Sequence, residues 1–386
     1  MKRLKAQEKL PMELEEEILS RLPPLSLARF RTACKQWNTL IVDKRFIDNH
    51  LARARAHPQF ILTTKSKLCS VSVNLGDAIK IEVCDLTLDH IHGLESEMTP
   101  RKIHHCDGLL LCCWNNGATA TVWNPWLRQS RWIELDTTET LTCFAGIGYD
   151  NRKPENCDYE IFASQYSYKY VWKFFNFASN AWKEQNSNTC YSSIRGFTKG
   201  ANLRASSSVS LNGNLYWVAS CITFKNLFII CMDFSQKRFE LFCNLPCKKI
   251  CRFDTQVLAV FRGDRFSVLD QCNETKKIEI WVTKNKITRD GKDVEWIKFM
   301  EMSCLNLPDL LLSRPYSQPS YFIEDKTLIV CSCDKAGQAW IYVVSGNKLS
   351  KIRIDYGVDP WPSHCTCFPS LVPVPRGQGE EVELRV

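Results

Sequence analysis

Near residue 57 the apolar residues of this 386-residue chain change their spacing, and with it the kind of structure each part can form. Before that point Leu10, Leu14, Ile18 and Leu22 recur four residues apart with Leu19 beside them, the stripe of an amphipathic helix. After it, Val, Ile, Thr and aromatic residues alternate with polar ones in short runs, the period of strands. The two periods do not mix, which predicts a multi-domain α + all-β protein: a small amino-terminal helical domain over residues 4–54, an all-β domain over 58–375 and a tail over 376–386.

In the helical part Pro11 occupies a position where a first-turn proline is tolerated. Glu13, Glu15, Glu16 and Glu17 lie near the positive end of the helix dipole, and Pro23-Pro24 stops the helix after Leu22. Further short helices are predicted over Ser26–Arg31, Cys34–Val42 and Phe46–Ala54, with Trp37, Leu40 and Ile41 on one face of the third. Four such helices bury little surface by themselves and gain most by packing against something larger. The first 57 residues hold 12 Lys or Arg against 7 Asp or Glu, most of the whole-chain excess of +8. That charge is scattered and forms no run, so it reads as a solvated helical surface and not as a nucleic-acid footprint.

The strand-rich part carries a loose repeat of hairpins: Cys69–Val83, Thr121–Ile133, Val171–Trp182, Phe228–Phe239, Ile278–Ile287 with Trp296, and Ala339–Leu349. Equivalent positions Val73, Trp123, Phe177, Phe234, Trp281 and Tyr342 are 47 to 61 residues apart. A period near 50 suits the four strands of a propeller blade, which predicts about six blades. Asp107-Gly108, Gly213-Asn214 and Asn124-Pro125 supply turn chemistry, and Trp123, Trp217 and Trp281 are expected as core aromatics between blades.

Several function classes drop out. No apolar run approaches the roughly 18 residues of a membrane helix. The basic start Met1–Lys9 is followed by acidic residues where a secretory leader would be apolar, which predicts an intracellular protein of nucleus or cytoplasm, its 20 cysteines mostly small buried hydrophobes. His90 with His92, His104-His105-Cys106, Cys112-Cys113, Cys243 with Cys247 and Cys251, Cys331 with Cys333, and Cys365 with Cys367 lack paired Cys-x-x-Cys spacing for zinc. Neither a Gly-x-Ser-x-Gly elbow nor a phosphate-binding Gly-Lys-Ser/Thr element occurs, so no catalytic residue, cofactor or metal is assigned.

Order, spacing and residue type in Leu10-Pro11…Leu14…Ile18…Leu22-Pro23, Ser26-Leu27…Phe30 and Cys34-Lys35-Gln36-Trp37…Leu40-Ile41 closely resemble an F-box. Downstream, Cys106–Cys112, Val122–Pro125, Gly148–Asp150, Leu211–Trp217, Ile278–Thr283, Trp296–Phe299 and Pro369–Val372 stand in the order of the F-box-associated interaction domain of a large plant family, regarded as a kelch-like propeller. The resemblance implies a non-catalytic substrate receptor of a Skp-cullin-F-box ubiquitin ligase. It would dock on the Skp adaptor, reach the cullin and RING subunits through it, and present a client protein held by the propeller. Matching family positions put Leu10, Pro11, Leu14, Ile18, Leu22, Pro23, Leu27, Cys34 and Trp37 in or just beneath the adaptor interface, with Phe30, Leu40 and Ile41 closing the small core.

Client contacts are expected on rim loops such as Gln185–Arg204, Asp309–Ser320 and Asp355–His364, with Tyr191, Tyr316 and Trp361 as anchors, because Tyr and Trp dominate interface hot spots. Two alternatives stand beside this reading: a glycan-binding propeller using exposed aromatic platforms, and an adaptor-bound scaffold that degrades nothing.

Overall fold

The computed structural model describes residues 10–377 except 64–67, 87–99, 115–117, 136–140, 153–157, 167–169, 186–200, 204–207, 222–225, 248–253, 289–290, 304–307, 311–317 and 356–359. Four helices come first: α1 (Met12–Leu19), α2 (Pro24–Phe30), α3 (Lys35–Val42) and α4 (Lys44–Ala54). The helix α1 stops three residues short of the expected Leu22. A residue preceding proline is pushed out of the helical region, and the chain prepares for Pro23 by tightening its last turn, with Arg21 N–H donating to Ile18 O and Leu22 N–H to Leu19 O. Pro24, fixed near helical φ, starts α2 earlier than predicted, and Asp43 caps α4 by accepting from Phe46 N–H at 3.3 Å.

The remainder is a six-bladed propeller. Five sheets have four strands and the fourth blade has five, its inner position shared by Ala201–Leu203 and Val209–Leu211. Each predicted hairpin is the outer pair of strands of one blade; Thr119–Asn124 with Gln129–Glu134 and Ala339–Ser345 with Lys348–Arg353 are two examples. The ring closes through the carboxyl-terminal strand His364–Cys367, which pairs antiparallel with Gln59–Thr63 and completes the first blade from its inner side. Neighbouring blades bury apolar side chains between them: Trp123 and Trp217 are buried as expected, whereas Trp281 is only half-buried and has Lys298 over its ring.

The inner hairpins turn through pairs of positive-φ residues, Asp107-Gly108 (50° and 86°), Asn212-Gly213 (51° and 78°) and Arg262-Gly263 (52° and 80°). The expected Gly213-Asn214 turn is therefore one residue earlier, because glycine serves as its second residue, and Asn214 instead accepts from Phe234 N–H. At Gly108 a Cβ would stand 2.0 Å from that of Ser370, so both the backbone angle and the close approach require glycine.

The helices and the propeller share a core. Leu19, Leu27, Leu40, Ile41 and Phe46 pack with Leu127 from a turn of the second blade and Leu371 from the segment after the closing strand. That segment is stitched down on its other side: Asn124 Nδ2 donates to Ser370 O and Val372 O at 3.0 and 2.8 Å, and Val374 N–H donates to Gln129 Oε1 at 3.0 Å. Arg55, just past α4, pairs with Asp107 at 2.7 Å. The helices are thus seated on the propeller face that carries the inner-hairpin turns.

Candidate functional site

The helix α1 is turned inside out relative to a helix of an isolated globular protein. Leu10, Leu14 and Ile18 are 53%, 51% and 52% exposed, while Glu15, Glu16 and Glu17 are paired with the other helices. Trp37 Nε1 donates to Glu15 at 2.9 Å, Arg45 pairs with Glu16 at 3.0 Å, and Arg53 pairs with Glu17 at 2.7 Å. The two arginines at Glu17, Arg21 and Arg53, hold its carboxyl below the usual range by hydrogen bonding. Pairing with α3 and α4 locks the orientation of α1, so its leucine and isoleucine stripe stays in water. Met12, Leu25 and Val42 are exposed as well. Apolar side chains held outward by a polar network on the opposite side mark a protein-docking face.

The other residues predicted for this face divide. Pro11, Pro23 and Cys34 are exposed; Leu22 and Trp37 are half-buried, the indole 5.6 Å from the Phe30 ring. Leu27 is 0% exposed and belongs to the shared core beneath the face, together with Leu40 and Ile41. The glutamates that orient α1 escaped sequence reasoning, which gave them only a dipole role. The signal was available in Arg45 and Arg53, but their proximity is set by tertiary packing. His50 supports the same packing: its Nε2 lies 3.0 Å from Leu22 O, and burial lowers its pKa.

Strand direction places the second candidate surface. Inner strands such as Pro100–Cys106 and Thr255–Phe261 end at turns beside Arg55, so they start at the opposite face. Connections between blades join the end of an outermost strand to the start of the next inner strand; hence the strand ends flanking Gln185–Arg204, Asp309–Ser320 and Asp355–His364 all lie on the face away from the helices. Tyr191 and Tyr316 fall outside the described residues. Trp361 is half-buried on that face, at φ +63°, its N–H donating to Gly337 O at 2.8 Å and its ring packed on the first and sixth blades. Among the Trp, Tyr and Phe side chains whose exposure is described, none is fully exposed.

Between these faces runs a central channel lined by the inner strands. Burial pushes the Cys365 thiol up to about 12 and those of Cys112, Cys331 and Cys367 well above the ordinary value, which keeps them protonated and poor nucleophiles. The fourteen cysteines whose state is described are all free.

Two domain families match the chain: the F-box domain over residues 8–49 and the F-box associated beta propeller domain over 59–374. The chain belongs to the F-box proteins with an F-box associated propeller. Such an F-box implies a Skp-type adaptor as partner. Among relatives, the F-box/kelch-repeat protein At3g16580 of Arabidopsis thaliana is 50% identical over 98% of this chain and 96% of its own length, and the F-box protein At2g14710 of the same plant 48% identical over 98% of each. A nidogen/laminin complex structure is similar at a TM-score of 0.42 and 9% identity, covering 81% of this chain and 99% of that one, a likeness too low to support any functional argument.

Proposed function

We propose that this F-box protein is the substrate receptor of a Skp-cullin-F-box ubiquitin ligase, docking through α1 and its neighbours and holding a client protein on the propeller face opposite the helices. The observation that carries the reading is the outward stripe Leu10, Leu14 and Ile18, kept exposed by the Glu15, Glu16 and Glu17 pairs beneath it. Ubiquitin transfer needs no nucleophile here: the receptor acts by raising the effective concentration of client lysines near a charged conjugating enzyme brought by the cullin and RING subunits. The joint at Leu371, Leu127 and Arg55 supports that role, since a receptor that positions its cargo benefits from a stiff connection between its two docking faces.

On the client face Tyr191, Tyr316 and Trp361 are the proposed anchors. Reconstitution of the full chain with Skp adaptor, cullin and RING subunit tests the reading. A stable assembly that ubiquitinates co-captured proteins supports it, and an assembly that binds proteins without modifying them favours the scaffold alternative. Loss of client capture is expected in the Tyr191→Ala, Tyr316→Ala, Trp361→Ala variant; undiminished capture removes the anchor assignment.

A further inference from the structure

Beyond the end of α1 lies an apolar groove of about 700 Å³ to which both domains contribute. Leu22, Pro23 and Pro24 come from the turn between α1 and the start of α2, Ala54 and Ala56 from the end of α4 and the linker after it, and Pro369 from the propeller segment that follows the closing strand. Pro23 and Ala56 are exposed, so the apolar lining is open to a partner.

The groove continues the docking face, because Leu22 and Pro23 belong to both. Its charge has one sign: among the described lining residues are Arg21 and Arg53 and no carboxylate. The two guanidinium groups share the single carboxylate of Glu17, each at 2.7 Å, and the other partner of Arg53, the Ser20 hydroxyl, is neutral. One positive charge is left in excess. The Arg21 and Arg53 side chains are 71% and 43% exposed, which puts both within reach of a partner. An apolar centre with a charged, solvent-accessible rim is the anatomy of a protein contact.

We propose that the Skp-type adaptor, docked on α1, continues into this groove with an apolar side chain flanked by an acidic one, and so touches the propeller at Pro369 as well as the helices. The acidic group faces the arginine rim, and the apolar one covers the prolines and alanines. This rests on the receptor reading given above. An adaptor seated there spans the joint at Leu371 and holds the two domains at one angle, which is what positioning a client requires.

The test is photo-crosslinking in the complex of the full chain with Skp adaptor, the photoreactive residue p-benzoylphenylalanine replacing Ala56 in the groove or Met12 on the docking face, both exposed positions. Crosslinks to the adaptor are expected from both. A crosslink from position 12 alone, or one from position 56 that stays within the chain, overturns the proposal and leaves docking through α1 intact; no crosslink from either overturns the docking reading with it. Charge gives a second measurement that does not depend on the photoreactive group. Ala56→Glu is expected to weaken adaptor binding about tenfold by opposing the acidic group, whereas Ala56→Lys, which fills the same space, is expected to bind at least as tightly as the unaltered chain. Equal affinities of the two variants overturn the acidic assignment.

Discussion

Arg55 donates to the Asp107 carboxylate at 2.7 Å, and this one pair ties the end of α4 to the inner turn of the second blade at the mouth of the channel. Both side chains are mostly buried, so removing either charge strands the other in a poor solvent. Arg55→Met is expected to destabilise the protein by up to about 3 kcal/mol, the lower end for a broken buried pair. Chemical denaturation measures the loss, and proteolysis of the 54–58 linker should accelerate. Equal stability and equal cleavage would show that the pair contributes nothing to the joint.

Leu27 and Ile18 separate folding from docking. Leu27→Ala removes a side chain with no exposure from the shared core and is expected to cost about 2–5 kcal/mol. Ile18→Ala, on the exposed stripe, is expected to leave the melting temperature within a degree or two and to weaken adaptor binding tenfold or more, about 1.4 kcal/mol per decade. Calorimetric unfolding and a binding titration on both variants check the distinction.

Leu371 makes the helical domain depend on the far end of the chain. Leu371→Ala should hasten amide hydrogen exchange in α2 and α3, although no residue there is altered. Unchanged exchange would mean that the helices fold without the propeller.

Histidine burial gives the stability a direction with pH. Desolvation lowers the folded-state pKa of His105 and His364 to about 4 from an ordinary 6.5, and that of His104 well below it. The unfolded chain therefore binds more protons than the folded one between those values. Stability should fall as the pH drops from about 6.5 toward 4, with a slope greater than one proton. Denaturation midpoints between pH 7 and 5 isolate the histidines from most carboxylates, and a flat profile there would contradict the burial of these rings.

What the sequence made legible was local. The Leu10–Leu22 stripe and the six outer hairpins announce themselves through period and turn residues, because their contacts are local, the widest pairing being that of Ile278 with Met302. Long-range joints left no such trace. Cys365 and Cys367 stood out only as a cysteine pair without zinc spacing, with nothing to reveal that their strand closes the ring against Gln59–Thr63. Leu371 and Leu127 looked like ordinary propeller residues, and their place in the helical core depends on how two domains meet. The docking face was legible as a set of positions; that Glu16 and Glu17 pair with α4 was not, since Arg45 and Arg53 reach them only after α4 packs.

Affinity capture with the proteasome blocked tests the receptor reading most directly, comparing the intact chain with its Leu10→Ala, Pro11→Ala, Ile18→Ala variant. Adaptor and cullin should be enriched with the intact chain alone, while a common set of further proteins, the candidate clients, stays on both. Absence of adaptor from both samples, or its equal recovery with the variant, would contradict docking through α1.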